Sequence, residues 1–393
     1  MRQVRRRSQT GAYFAAFIAL GLTTGSLGPT LPTLAAQTKV GLATIGYLFT
    51  ARSIGYVIGA LRGGKLFDSK PAHPVMATML LVMSLAMVLV PLTGRLSLLL
   101  VLMVLLGAAE SGVDVGANAL LVRLHGSGVG PLMTAMHSFF GVGALIAPLV
   151  VAQITLAGFP SINSYFVLAA LLIPVAAYTI CLPNPVAERT RAAGDAAVAN
   201  RRLVFLVSLV LLLYVGAEVG FAGWIFTYAI EQKLAAPVTA AYLTSIFWGA
   251  LTAGRMLMIP VAARVSPARI LFVSFIGSVL SLSLLLLAPS SLIVGFAATI
   301  GLGVFMAAIF PTALSFASRR LEVTGRVTAW FVIGASLGAT LTPLIIGQLF
   351  PVIGPRALVF VAELALLLAI AVLVVAIVYT RGSERSANSL LLD

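Results

Sequence analysis

Apolar runs long enough to cross a bilayer recur along this chain, separated by only a few polar, glycine or proline residues. A hydrocarbon core needs about 20 consecutive apolar residues in a helix. Twelve such spans are read, at 12–34, 42–63, 74–94, 97–121, 130–157, 162–182, 203–230, 237–259, 270–288, 291–317, 327–350 and 357–379. Charged residues make up only 9% of the 393, against roughly 25% in an ordinary soluble domain. A soluble surface cannot be built from so few charges. Outer-membrane strands alternate in short segments, whereas these runs are continuously apolar. The first run follows a basic start, but its length, internal glycines and prolines, and eleven similar successors argue against a signal peptide.

The break at 183–202 differs from the rest. It opens with Pro-Asn-Pro, mixes charges with alanines and ends in Arg201 and Arg202. It reads as a cytoplasmic linker between an N-terminal bundle, 1–182, and a C-terminal bundle, 203–393. An internal repeat with an offset of 195 supports the division. Gly21 and Gly25 recur as Gly216 and Gly220, Tyr47-Leu48 as Tyr242-Leu243, and Gly59 as Gly254. Pro148-Leu-Val-Val-Ala-Gln153 recurs as Pro343-Leu-Ile-Ile-Gly-Gln348. An even number of helices per copy makes the halves enter the membrane in the same sense. The expected fold is an all-α polytopic membrane protein, with twelve transmembrane helices in two parallel six-helix repeats. Parallel repeats that hold substrate between them are a transporter arrangement.

The formal net charge of +14 is explained by placement. With the N-terminus in the cytoplasm, nearly all Arg and Lys fall on the cytoplasmic side. The other side receives only Lys39, Arg95, Lys233 and Arg356. This is a positive-inside pattern for a multi-pass protein of the cell inner or plasma membrane, with both termini cytoplasmic. It removes the motive for a nucleic-acid partner. The single cysteine, Cys181, excludes an internal disulfide. No Walker motif is present, and Gly59, Gly63 and Gly64 lack the preceding strand of a nucleotide fingerprint. With no paired metal ligands or nucleophile elbow, an enzyme is not expected.

Ionisable residues inside spans are expensive and usually functional. Arg52 lies midway along helix 2. Glu110, Asp114 and Asn118 share a face of helix 4 at spacings of four. His137 lies in helix 5, Glu218 in helix 7, Arg255 in helix 8 and Glu363 in helix 12. Two carboxylates so close do not both ionise cheaply, so the Glu110/Asp114 pair is an expected proton-exchange site, with Arg52 neutralising one member. The structural alternative is a fixed ion pair that locks helices. Glu218 is a candidate proton or sodium site, with a hydrogen-bonded structural carboxyl as its alternative. Arg255 and Glu363 are nearer the interfaces, where side chains snorkel.

Trp224, Tyr228 and Gln232 share a face of helix 7 at spacings of four. A ring with polar neighbours suits the apolar face and hydroxyls of a sugar; an interfacial aromatic belt is the alternative, and it fits Tyr228 better than Trp224. Trp330 is a further interface candidate. Gln153 and Gln348, at repeat-related positions, are candidates for a central cavity, and His137 for hydrogen bonding to substrate. Gly143 and Pro148 on helix 5, with Gly338 and Pro343 on helix 11, allow close packing and local bending.

The stretch after helix 2, Gly64-Lys-Leu66-Phe-Asp68-Ser-Lys70, resembles the Gly-x-Leu-x-Asp-x-Arg/Lys loop signature of the major facilitator superfamily. Gly64, Asp68 and Lys70 become gating candidates by that resemblance. Gly112-Val-Asp114-Val-Gly-Ala-Asn118, His137 with its following Phe and Gly residues, Tyr214-Val-Gly-Ala-Glu218 through Tyr228, and Ile309-Phe-Pro311-Thr312 resemble the branch of fucose permeases and sodium-dependent glucose transporters. That resemblance implies transport of small solutes, mainly sugars, coupled to protons or sodium. It makes Asp114, Asn118, His137, Glu218 and Trp224 cavity or coupling residues. The fucose-permease pattern also carries an acidic residue in helix 1, and helix 1 here has none.

The expected function is cation-coupled uptake of a sugar or similar small polar solute by alternating access. Substrate-binding candidates are Asn118, His137, Gln153, Trp224, Tyr228 and Gln348; ion-coupling candidates are Arg52, Glu110, Asp114 and Glu218. No cofactor is expected beyond a bound sodium ion where sodium is the coupling cation, and the chain is expected to work as a monomer in the lipid bilayer. Proton-coupled efflux of an amphipathic or drug-like compound is the rival within the same class. A non-transporting membrane receptor or scaffold is the rival of a different class.

Overall fold

In the computed structural model, residues 2–184, 200–321 and 324–389 are described. Most of the expected linker at 183–202 lies outside them. The long helices are α1 (Arg2–Thr38), α2 (Tyr47–Ser69), α3 (Ala72–Leu89), α4 (Leu96–His125), α5 (Gly130–Leu156) and α6 (Ser164–Ile180). They continue as α7 (Arg201–Glu231), α8 (Pro237–Ala262), α9 (Pro267–Leu287), α10 (Leu292–Met306 and Ile309–Ser318), α11 (Gly325–Ile353) and α12 (Arg356–Ser389). This is the all-α, twelve-helix polytopic fold the apolar runs predict.

Two departures from the expected spans have local reasons. The Gly63-Gly64 pair does not end α2. The helix continues to Ser69, and Lys70 turns to extended backbone, φ −127° and ψ 162°, before Pro71. A residue preceding proline is pushed out of the helical region, so the expected loop signature is mostly helical. The side-chain surroundings of Gly64 and Asp68 lie outside the described residues. α10 is interrupted at Ala307 and Ala308, one turn before Pro311. Proline has no N–H for the carbonyl four residues back and clashes with it. Among the described residues, eleven helices are long and apolar enough to cross a membrane. The twelfth, α2, is long enough but carries Arg52 and Arg62; it packs against α4 along its length.

The chain forms two compact units. Unit 1 comprises Met1–Thr190, Ala222–Gly249 and Gly347–Pro355; unit 2 comprises Arg191–Phe221, Ala250–Ile346 and Arg356–Asp393. In unit 1, α1 packs on α5, α2 on α4, and α3 on α4 and α6. In unit 2, α9 packs on α10 and α12.

Helix association in lipid lacks a hydrophobic driving force and relies on close packing at small residues. Gly21 and Gly25 of α1 lie against the backbone of Phe140 and Ala144 on α5, and Gly143 of α5 meets the Ile18 carbonyl. Unit 2 repeats the contact. Gly216 and Gly220 of α7 face Thr342 and Ile346 on α11, and Gly338 meets the Leu212 carbonyl. The second set of glycines sits 195 residues after the first. The repeat is thus one of close helix contact as well as of sequence. Gly55 and Gly59 of α2 bring a third glycine pair against Val104 and Ala108 of α4, and Gly107 of α4 meets the Arg52 carbonyl.

Candidate functional site

α2 and α4 run side by side in unit 1, and the backbone contact at Gly55, Gly59 and Gly107 brings their polar faces together. Arg52 Nε donates to Glu110 Oε2 at 2.7 Å and Arg52 Nη2 to Glu110 Oε1 at 2.7 Å. The same Nη2 donates to Thr24 Oγ1 of α1 at 2.8 Å. The side chains of Arg52 and Glu110 are 15% and 3% exposed. The bidentate geometry explains how a charged pair persists there, since parallel N–H···O bonds are the strong form of this contact. Of the two carboxylates open to Arg52, the structure assigns Glu110.

One turn along each helix, Tyr56 Oη donates to Asp114 Oδ2. Asn118 Nδ2 donates to Asp114 Oδ1 at 2.7 Å and to the Asp114 carbonyl at 2.9 Å. His137 lies close enough to act electrostatically on Asp114, and its ring meets Phe17 edge-on at 5.0 Å. Asp114 therefore sits in a cluster of hydroxyl, amide and imidazole rather than on a guanidinium. Sequence reasoning missed Tyr56 and Thr24, because neither is charged. A signal existed: Tyr56 follows Arg52 at the same spacing of four by which Asp114 follows Glu110.

In unit 2, Arg255 Nη2 lies 3.9 Å from Glu218 Oε1. Arg255 reaches into the bundle instead of only snorkelling. The Tyr214 hydroxyl, one turn before Glu218 on α7, donates to the Met306 carbonyl at 3.1 Å, at the break in α10. Glu363 is bound rather than stretched towards water: Ser283 Oγ of α9 lies 2.5 Å from its Oε1.

The segments of α7, α8 and α11 that belong to unit 1 close onto its end remote from Pro183. Gly28 of α1 lies against the backbone of Ala222 and Gly223. Trp224, fully buried, stacks on Phe350 with ring centroids 5.1 Å apart and lies 6.1 Å from Phe49. Gly46 and Gly347 both abut its indole. Gln348 Nε2 donates to the Ala43 carbonyl at 2.9 Å, and Gln153 Nε2 to Tyr242 Oη at 3.3 Å. Ser245 Oγ donates to the Leu145 carbonyl at 2.6 Å. Tyr228 is 1% exposed, so it is not part of an interfacial belt; Trp330, 51% exposed, has the exposure of one. Trp224, Gln153 and Gln348 are thus placed at this closure, and His137, Asp114 and Asn118 at the α4 cluster.

Pro148 and Pro343 lie inside α5 and α11, and Lys70 is the exposed residue ending α2. Among the described residues, no group of three or more His, Cys, Asp or Glu is arranged to hold a metal ion.

A family model described as Major Facilitator Superfamily matches residues 13–331. Sodium-dependent glucose transporter 1A of Mus musculus is 29% identical over 375 residues, covering 86% of this chain and 88% of that protein. Sodium-dependent glucose transporter 1 of Xenopus laevis is 30% identical over 369 residues, covering 84% of this chain and 75% of that protein. The crystal structure of nucleoside transporter NupG superposes with a TM-score of 0.72 at 15% identity, covering 95% of this chain and 98% of that one. A bacterial homolog of the human lysosomal transporter Spinster, inward-facing and unoccupied, gives 0.72 at 14% identity, covering 98% and 97%. At such identities the two structures speak for the fold alone.

Proposed function

This chain belongs to the Major Facilitator Superfamily, and we propose from that premise that its cargo is a sugar or similar small polar solute taken up with a cation. It is a secondary-active transporter that moves a small molecule by alternating access, a transport protein rather than an enzyme. The sugar reading is supported by the sodium-dependent glucose transporters among its relatives.

The observation that carries the coupling is the division of labour on α4. Glu110 is committed to Arg52 through both oxygens. Among the described residues, Asp114 accepts hydrogen bonds from the neutral side chains of Tyr56 and Asn118 and lies within electrostatic reach of the titratable His137. We assign proton or sodium binding to Asp114, and helix locking to Arg52 and Glu110. A cation arriving at Asp114 competes with the hydroxyl and amide donors already there. Its binding therefore changes the link between α2 and α4, which is what a ligand must do to shift a conformational population. Glu218, with Arg255 and Tyr214, is a second ion-linked site.

The bodies that alternate are assigned to the halves 1–182 and 203–393, joined by 183–202. Gly143, Pro148, Gly338 and Pro343, with Gly64, Asp68 and Lys70, are assigned to that movement. Asn118 and His137 contact substrate, and Trp224, Tyr228, Gln153 and Gln348 act at the closed end. The asymmetry of basic residues puts both termini in the cytoplasm of a cell or inner membrane, and the chain works as a monomer. Uptake of a panel of labelled hexoses into proteoliposomes, with sodium or a pH gradient, tests the reading. Saturable uptake of at least one is expected, and no uptake across the panel removes sugar as the cargo.

A further inference from the structure

The start of α7 and the end of α12 form a groove in unit 2 with a volume of about 410 Å³. Its walls are Arg201, Arg202, Phe205, Leu206, Val375 and Tyr379. Asn200 sets its geometry. The residue takes a left-handed conformation, φ 58°. Its Oδ1 accepts from the Leu203 N–H at 3.1 Å and from Tyr379 Oη at 3.1 Å. The start of α7 is thereby tied to α12. The candidate spans begin at Arg201 and end at Thr380, so the groove lies where hydrocarbon gives way to headgroups.

Its two parts differ in chemistry. Phe205 and Val375 are 66% and 55% exposed, an apolar wall left open at the edge of the spans. Arg201 and Arg202 are exposed above it, and among the described residues neither has a carboxylate partner. Guanidinium groups match phosphate oxygens in geometry as well as charge. One repeat earlier, Arg6 and Arg7 line a groove whose wall includes Thr10 and His125, and those two are hydrogen-bonded to each other at 2.8 Å. The apolar residues of that first groove, Phe14 and Leu132, are half-buried, whereas Phe205 and Val375 of the second are exposed.

We propose that the α7–α12 groove is a binding site for an anionic glycerophospholipid, with its phosphate on Arg201 and Arg202 and an acyl chain along Phe205 and Val375. A free phosphate supplies the same oxygens but no chain, so it satisfies the arginines and leaves the apolar wall bare. The site is independent of the cargo and of the coupling ion.

The test uses the full chain in a neutral detergent, with phosphatidylglycerol and phosphatidylcholine of matched chains and, separately, inorganic phosphate. Native mass spectrometry counts retained lipid, and hydrogen exchange over 200–206 reports the groove itself. Wild type is expected to hold phosphatidylglycerol on the order of tenfold better than phosphatidylcholine, as two arginines near a membrane surface provide. The lipid should slow exchange at 200–206. The double change Arg201→Gln and Arg202→Gln should abolish both effects, whereas Arg201→Lys with Arg202→Lys, which keeps the charge but not the fork geometry, should retain part of them. Phe205→Ala should weaken lipid retention with the arginines intact. The proposal is overturned if the Gln variant retains phosphatidylglycerol like wild type, if phosphatidylcholine is held equally well, or if inorganic phosphate protects 200–206 as the lipid does.

Discussion

Arg52 and Glu110 are 58 positions apart in sequence, and so are Tyr56 and Asp114, which meet one turn further along the same two helices. The equal separation follows from α2 and α4 running side by side in one register. It turns a run of polar residues into two rungs with different chemistry. The first rung is a closed ion pair, and the second is a carboxyl among exchangeable partners.

The closed rung is expected to act on stability. Glu110→Ala leaves a buried guanidinium unpaired, a change that costs roughly 3–5 kcal/mol in buried pairs. The double change Arg52→Met with Glu110→Leu removes both charges and should recover most of the loss. Thermal unfolding in detergent measures both, and equal melting temperatures for single and double variants would show that the pair is not a unit.

The second rung is expected to act on coupling instead. Tyr56→Phe removes one donor to Asp114 and leaves the ring in place. The variant should fold like wild type and still transport, with a displaced cation concentration or pH for half-maximal uptake. An unchanged ion dependence would remove Tyr56 from the coupling site.

The glycine contacts predict a matched pair of defects. Gly143→Val and Gly338→Val each drive a side chain into the facing carbonyl, of Ile18 and of Leu212. Overpacking of this kind costs typically 1–3 kcal/mol. Both should lower the melting temperature, by similar amounts, because the positions are repeat-related. Gly41→Val, where a Cβ meets nothing within 4 Å, is the control.

Trp224 predicts a change in accessibility at the closed end. Trp224→Ala removes the ring that stacks on Phe350 and lies beside Phe49, a truncation that costs about 3–5 kcal/mol in a packed core. In a Cys181→Ser background, a cysteine placed at Gly46 or Gly347 should then react faster with a membrane-impermeant maleimide. Equal rates with Trp224 and with alanine would mean that the indole does not hold this end shut.

What the sequence made legible was what membrane insertion makes costly. Arg52, Glu110, Asp114 and Glu218 stand out because charge within apolar runs is rare, and their helices follow from the same runs. Partner choice was not legible. Arg255 is on the next helix from Glu218, and only the packing of α7 and α8 decides that they meet. Tyr56 was hidden because a tyrosine in an apolar run needs no explanation until its hydroxyl finds a carboxylate. By its spacing to Tyr228 and Gln232, Trp224 suits a sugar platform. Its full burial depends on Phe49 and Phe350, more than a hundred residues away on either side. α2 runs past Gly63-Gly64 because a Gly-Gly pair is a weak stop beside Pro71.

The central claim is that Asp114 couples a cation to solute movement while Glu110 only holds helices together. It is tested most directly by comparing wild type with Asp114→Asn in proteoliposomes, measuring gradient-driven accumulation of a labelled hexose and its counterflow in the same preparations. The account predicts that wild type accumulates the sugar above equilibrium and that Asp114→Asn loses accumulation yet keeps counterflow. Accumulation by Asp114→Asn equal to that of wild type, with the same ion dependence, would contradict it.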